Sequence, residues 1–151
     1  MKTRKLTILL AEDDDGHATL IRRNLDRTRI EAEVLRMRNG QEILDHLARG
    51  PAENPLTVPT LVLLDISMPK VDGIEVLRRI KTDPATRAIP VYMLTTTDNP
   101  LEIERCFELG CNAYVTKPIA YDAFIQAIER LCGFLEITQL PGVLPIQHVS
   151  A

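Results

Sequence analysis

The chain has 151 residues, of which 45% are apolar and 26% charged, and its net charge is −3. This length suits one domain with a full hydrophobic core. The slightly negative net charge does not favour binding to DNA or to an anionic membrane. No apolar run approaches the ~18 residues that a membrane helix needs. The acids at 12–15 interrupt the N-terminal apolar stretch, so we do not expect a signal peptide. We therefore expect a cytoplasmic protein with no membrane partner.

Apolar periodicity predicts five strand–helix units in succession. The expected strands lie at about 5–11, 31–36, 61–65, 90–94 and 112–116. The expected helices lie at about 15–28, from an N-cap at Asn39, from Ile74 to before Pro84, from an N-cap at Asp98 or Asn99 to Gly110, and at about 120–133, where Gly133 should end the last one. Residues 50–59 hold three prolines and should form an irregular connector. Because a parallel return needs a crossover, this alternation predicts an α/β fold with helices on both faces of a parallel sheet.

Polar side chains follow four of the predicted strands, at the point where each strand ends. Glu12 and Asp13 follow the first strand, Asp65 the third, Thr95 the fourth and Lys117 the fifth. Ligands of an open parallel sheet bind at the carboxyl ends of its strands, so we expect three acids, a hydroxyl and an ammonium to meet there. Carboxylates bind Mg²⁺, lysine binds phosphate, and a carboxylate can carry a phosphoryl group.

Each of these residues also has a plain structural explanation. Acids before a helix can cap it, and we expect Asp15 to do so. An aspartate after a strand often forms a turn, a threonine suits a strand, and a lysine before a helix is often simply exposed. The arrangement at successive strand ends, rather than any single residue, therefore predicts a site for a divalent cation and a phosphoryl group.

The chain resembles the receiver domains of two-component response regulators over about residues 5–133. The likeness rests on the acidic pair, on Asp65 and Thr95, and on Lys117-Pro118 after the fifth strand. The stretch Leu-Leu-Asp-Ile-Ser-Met-Pro-Lys-Val-Asp-Gly matches the family around its phosphoacceptor. The resemblance implies a flavodoxin-like, doubly wound (βα)5 fold with strand order 2-1-3-4-5. It divides the chain into a receiver domain at 1–133 and a C-terminal extension at 134–151.

The resemblance also implies roles for the residues around the acidic pair. Asp65 would accept the phosphoryl group. Asp13 and Asp65 would bind Mg²⁺ through their carboxylates. Ser67 would add its backbone carbonyl, and Glu12 would act largely through water.

A switch is implied at the fourth and fifth strands. Thr95 and Lys117 would bind the phosphoryl group. Thr95 would move together with Tyr114, at a position where the family places an aromatic residue that turns inward on activation. Tyr114 also fits a half-exposed strand residue with no such role. The signal would change a surface made of the fourth helix, the fifth strand and the fifth helix.

The implied partner is a sensor histidine kinase. The proline-rich connector and the segment Gly-Phe-Leu-Glu-Ile-Thr-Gln-Leu-Pro are similar to regulators paired with bacterial phytochrome kinases. The roughly 18 residues after the last helix are too few for a DNA-binding module, so we expect a stand-alone regulator with no direct DNA binding. The apolar, charge-poor tail predicts a homodimer, through an exchanged arm or through the surface of the fourth helix, fifth strand and fifth helix. The alternative is that the tail folds back onto its own domain.

Two other functions fit part of the pattern. A phosphatase of the haloacid dehalogenase type also uses an aspartate nucleophile with Mg²⁺, but it needs a second aspartate two residues later, where Asp65-Ile66-Ser67 has serine. A receiver-like binding module that is never phosphorylated would not need the intact set of acids, threonine and lysine. We therefore expect a signalling protein rather than an enzyme.

Overall fold

The computed structural model describes residues 4–49 and 59–140. Within these ranges, five strands alternate with five helices, as predicted. In chain order they are β1 (Arg4–Ala11), α1 (Asp15–Asp26), β2 (Ile30–Met37), α2 (Gly40–Ala48), β3 (Thr60–Leu64), α3 (Gly73–Thr82), β4 (Val91–Thr95), α4 (Pro100–Leu109), β5 (Ala113–Thr116) and α5 (Tyr121–Ile137). None of these helices is long and apolar enough to span a membrane.

The described strands form one parallel sheet in the order β2-β1-β3-β4-β5, which confirms the predicted topology. The chain moves outward from β1 to β2, returns to β3 beside β1, and then continues outward to β5. The connections that leave β1 and β3 therefore run in opposite directions, and a crevice opens between these two strands at their carboxyl ends. This crevice is where the predicted site should lie.

Two hydrophobic cores cover the opposite faces of the sheet among the described residues. In β1, Ile8 and Leu10 pack with α1 and α5, whereas Leu9 packs with α2, α3 and α4. β3 alternates in the same way, and every residue from Leu61 to Leu64 is at most 1% exposed. A parallel strand that is buried on both faces reads as an unbroken apolar run. The core therefore makes β3 a rigid support for the residue that follows it.

The helix ends lie close to their predicted positions, with one cap assigned to the wrong residue. Asn39 and Asn99 cap α2 and α4. Gly110 ends α4 with a φ of 106°, which glycine adopts without strain. The prediction that Asp15 caps α1 is wrong. Asp14 accepts the hydrogen bond from the first turn at 3.0 Å, whereas Asp15 is the first helical residue and pairs with Arg36 of β2 and with Arg38, just after that strand.

α5 continues past the glycine that was expected to end it. The helix runs through Gly133 to Ile137, and the N–H of Thr138 closes it on the Phe134 carbonyl. Leu135 is fully buried in the core, and this burial of roughly 1.5–3 kcal/mol offsets the ~1 kcal/mol cost of a glycine inside a helix. Residues 134–137, which were predicted to follow the last helix, therefore belong to α5. The predicted arm beyond residue 140 and the connector at 50–58 lie outside the described residues.

Candidate functional site

The carboxyl ends of β1 and β3 lie side by side and bring the predicted acids together. Ala11 is the register partner of Leu64, so the loop that starts with Glu12 and Asp13 lies next to the loop that starts with Asp65. The Asp65 N–H donates to the Ala11 carbonyl at 3.1 Å. The backbone of the sheet thus fixes where these side chains begin.

Lys117 occupies the centre of this edge and is almost fully buried. Its Nζ donates to the Glu12 carboxylate, to Nδ1 of His17 at 3.1 Å and to Oδ2 of Asp65 at 3.4 Å. Its backbone N–H donates to the Thr95 carbonyl at 2.6 Å. A buried charge requires such partners, and the ammonium neutralises part of the acidic charge around it.

Glu12, Asp13 and Asp65 form an acidic cluster, in which one carboxylate oxygen of each lies within 4.8 Å of the other two. Asp13 faces solvent, whereas Glu12 and Asp65 are buried. Burial raises the pKa of Glu12 above its usual value, although the positive charge of Lys117 opposes this shift. Hard divalent cations such as Mg²⁺ bind oxygen ligands of this kind, so the donor set fits such a cation.

The loop between β3 and α3 is held tightly against Asp65. The Ser67 N–H lies 3.3 Å from Oδ1 of Asp65, and the Gly73 N–H donates to the Ile66 carbonyl at 2.9 Å. A Cβ on Gly73 would lie only 2.0 Å from the Asp65 carbonyl oxygen, so a side chain at this position would displace the start of α3 or Asp65 itself. The role of the Ser67 carbonyl as a metal ligand stays a prediction.

Thr95 and Tyr114 are connected through one residue of the β4–α4 loop. Thr95 is buried, and its hydroxyl lies 3.5 Å from the Thr97 N–H. Tyr114 is half-buried and donates its hydroxyl to the Thr97 carbonyl at 2.7 Å, and burial raises the pKa of this phenol to about 12. A displacement of Thr95 can therefore reach Tyr114 through Thr97, while their roles as switch residues stay predictions.

Two residues that the sequence pattern did not assign to the site lie within it. His17, in the first turn of α1, contacts Lys117 and packs on the Phe124 ring with centroids 4.6 Å apart. Burial and the charge of Lys117 lower the pKa of His17. Arg36, near the end of β2, donates Nε to the Glu12 carbonyl at 2.9 Å. The pairing of β2 with β1 could have indicated Arg36, and the nearness of His17 to the acidic pair was the signal available for that residue.

The fold and this edge define a class of doubly wound α/β proteins with acids, a hydroxyl and a lysine at the carboxyl ends of their strands. The chain belongs to the response regulator receiver domain family, whose model matches residues 8–129. This match confirms the family predicted from the motifs, and the matched range contains every residue of the candidate site.

Curated relatives cover most of the chain. The probable methanogenesis regulatory protein FilR2 of Methanothrix harundinacea is 37% identical over 124 residues, which cover 82% of this chain and 79% of that protein. The response regulator Rcp1 of Synechocystis is 35% identical over 137 residues, which cover 89% of this chain and 92% of that protein. The similarity therefore covers 79% of the length of FilR2 and 92% of the length of Rcp1.

Solved structures share the fold. A response regulator receiver domain from Rhodospirillum rubrum has a TM-score of 0.82 at 40% identity, covering 89% of this chain and 96% of that one. The Mn²⁺-bound form of Rcp1 has a TM-score of 0.80 at 34% identity, covering 89% and 98%. The phosphorylated cyanobacterial phytochrome response regulator RcpA has a TM-score of 0.80 at 33% identity, covering 92% and 99%. The chain is thus homologous to response regulators, including a cyanobacterial phytochrome response regulator.

Proposed function

We propose that this protein is a single-domain response regulator that accepts a phosphoryl group on Asp65 from a sensor histidine kinase. The observation that carries the proposal is the surroundings of Asp65, a buried carboxylate that follows a fully buried central strand. Oxygens of Glu12 and Asp13 lie within 4.8 Å of it, and the ammonium of Lys117 lies 3.4 Å from its Oδ2. The acids beside this carboxylate can bind a cation, and the ammonium can neutralise the negative charge of a phosphoryl group.

The transfer depends mainly on positioning and on neutralisation of charge. A carboxylate oxygen of Asp65 attacks the phosphorus of a phosphohistidine. A P–O bond forms, the P–N bond breaks, and the imidazole leaves after taking up a proton from water. Lys117 neutralises charge on the transferred group, and the Thr95 hydroxyl supplies a further donor. The acyl phosphate carries about 1.5–2 negative charges in place of the single charge of the carboxylate, so Asp65 gains up to about one negative charge.

Asp13 and Asp65 would hold Mg²⁺ through their carboxylates, with the Ser67 carbonyl as a further ligand and Glu12 acting through water. When bound, the cation neutralises phosphoryl oxygens. The carboxylate donor set supports a hard divalent cation. The solved Mn²⁺-bound form of the relative Rcp1 also supports this choice, since Mg²⁺ and Mn²⁺ share a preference for oxygen ligands.

We further propose that the new charge on Asp65 acts on β4 and β5. It would attract the Thr95 hydroxyl and Lys117, and movement of Thr95 would allow Tyr114 to turn inward. The surface of α4, β5 and α5 would then change its preferred state. The contacts of Thr95 and Tyr114 with Thr97 support this route.

The proposed donor is a phytochrome-type histidine kinase in the cytoplasm, and similarity to the phytochrome response regulator RcpA supports this class of kinase.

We also propose that the protein is a homodimer. Large apolar side chains are exposed on α4, at Leu101 and Phe107, and at the end of α5, at Phe134 and Ile137. Exposed apolar groups of this kind often mark interaction surfaces.

Phosphorylation of the full chain by acetyl phosphate and Mg²⁺ tests the acceptor. After the acyl phosphate is trapped by borohydride reduction, peptide mass spectrometry should locate the modification on Asp65. Asp65→Asn and EDTA should each abolish it. Asp122→Asn removes an exposed carboxylate from the first turn of α5 and, as the matched control, should be modified like the wild type.

Modification that persists in Asp65→Asn, or that is unaffected by EDTA, would contradict the assignment. A wild-type chain that is never modified would favour the receiver-like binding module instead.

A further inference from the structure

We propose that His17 is a positioning residue that directs the ammonium of Lys117 toward the phosphoryl group. This role depends on the proposed transfer to Asp65. It adds a residue of α1 to a site whose other members follow the strands.

The hydrogen bonds of Lys117 define what His17 does. An ammonium has three N–H groups and no lone pair. Among the described residues its acceptors are the Glu12 carboxylate, Oδ2 of Asp65 and Nδ1 of His17. Because Lys117 can only donate, Nδ1 must carry the lone pair, and the ring proton must be on Nε2. His17 thus takes the one N–H that does not point at an acid.

His17 is itself held in place from two sides. Its backbone N–H donates to Oδ1 of Asp14, which caps α1. Its ring packs on Phe124, a buried residue of α5, with an interplanar angle of 46°. The partly exposed ring therefore has a buried residue of the core on one face, and its Nδ1 is held as an acceptor beside a lysine side chain that is only 2% exposed.

This arrangement matters when a phosphoryl group arrives at Asp65. Lys117 must then turn an N–H from one of its acidic partners to a phosphoryl oxygen. A lysine side chain is a point charge on a flexible four-carbon stem, so a neutral acceptor on the remaining N–H restricts the direction of the other two. Loss of a hydrogen bond to a charged group, discounted for the partly exposed ring, should slow the transfer about three- to tenfold.

Two substitutions separate the acceptor from the ring. His17→Phe keeps a ring beside Phe124 but removes the acceptor. His17→Asn keeps an acceptor at the δ position but removes the ring. With the full chain at saturating Mg²⁺, the maximal rate of phosphorylation by acetyl phosphate should fall about three- to tenfold in His17→Phe. His17→Asn should recover most of that loss, while the Mg²⁺ affinity of both variants should stay within about twofold of the wild type.

A wild-type rate in His17→Phe would overturn the proposal. So would slowing of His17→Asn by as much as His17→Phe or more, because an acceptor at the δ position would then not restore the rate. Nitrogen NMR of the wild-type protein supplies a measurement that needs no variant, since Nδ1 of His17 should give the signal of an unprotonated nitrogen and a proton on Nδ1 would refute the role. If the wild type is not modified at Asp65, the proposed function fails; if it is modified and these outcomes fail, only the role of His17 is wrong.

Discussion

Replacement of Asp13 by asparagine should stabilise the metal-free protein. The carboxylates of Glu12, Asp13 and Asp65 approach within 4.8 Å of one another. Two unit charges at this distance repel by about 0.9 kcal/mol in water and by about 3.5 kcal/mol at an effective dielectric constant of ~20. Because Asp13 is exposed, and because Lys117 offsets part of the charge of the other two acids, the lower figure applies. We expect a gain of about 1 kcal/mol, or about 2–4 °C in Tm for a chain of this length.

Mg²⁺ should act in the opposite direction. A ligand that binds the native state at 100 times its Kd stabilises it by about 2.7 kcal/mol. Asp13→Asn removes one of the two proposed direct carboxylate ligands, so most of this stabilisation should be lost in the variant. The variant should therefore be more stable than the wild type in EDTA and less stable than the wild type at high Mg²⁺.

Urea denaturation followed by circular dichroism, in EDTA and in Mg²⁺, measures both effects. Asp14→Asn is the matched control, because Asp14 is the next acid along the chain and caps α1, and asparagine caps a helix equally well. The control should change neither quantity by more than about 0.5 kcal/mol. The reasoning would be refuted by an Asp13→Asn variant that is less stable than the wild type in EDTA, or by one that Mg²⁺ stabilises as strongly as the wild type.

Four further outcomes are expected. Lys70 has a φ of 69°, so Lys70→Gly should raise the free energy of unfolding by up to about 1 kcal/mol, and a decrease measured in urea would contradict this. Tyr114→Phe removes the hydrogen bond to Thr97 and should cost about 0.5–1.5 kcal/mol; unchanged NMR shifts in the β4–α4 loop would argue against the contact. Burial raises the pKa of all three cysteine thiols, to about 11 and about 12 in two of them. Iodoacetamide at about pH 8, which is below these pKa values, should therefore modify the thiols in urea but not in the native protein. Removal of the residues after Leu140 leaves α5 intact. If the arm is exchanged, this truncation should convert a dimer to a monomer in sedimentation, and a full chain that sediments as a monomer would exclude the dimer.

The site residues that follow the strands could be predicted because every step from sequence to position is local. An unbroken apolar run predicts a strand that is covered on both faces, and the residue after it must then lie at the carboxyl edge of the sheet. Asp65 satisfies this rule after β3, and Thr95 is the last residue of the buried strand β4. Lys117 follows β5, which is only half-buried or exposed, so its position was predicted from the alternation of strands and helices. Their convergence required only the parallel alternation of strands and helices, which the periodicity also predicts.

The errors and omissions arose where tertiary contacts decide the outcome. Gly133 is a local signal for a helix end, but the burial of Leu135 in the core keeps α5 helical beyond it. His17 reaches the site because α1 packs beside α5, where Phe124 supports its ring. Arg36 reaches the Glu12 carbonyl because β2 pairs with β1. These contacts join different elements, so the periodicity within one element does not predict them, and only the β1–β2 pairing and the nearness of His17 to the acidic pair pointed to them.

Lys117 would connect the proposed phosphoacceptor to the proposed switch, because it contacts residues of both. Its side chain contacts Asp65, and its backbone N–H donates to the Thr95 carbonyl. A movement of the Lys117 ammonium toward a group on Asp65 would therefore also displace the backbone at the ends of β4 and β5. β3 is buried along nearly its whole length, whereas β5 is an edge strand whose residues are half-buried or exposed. Since the less buried elements of a fold open and move at lower free energy, displacement that begins at Asp65 should pass outward to β5 and Tyr114 rather than into the core.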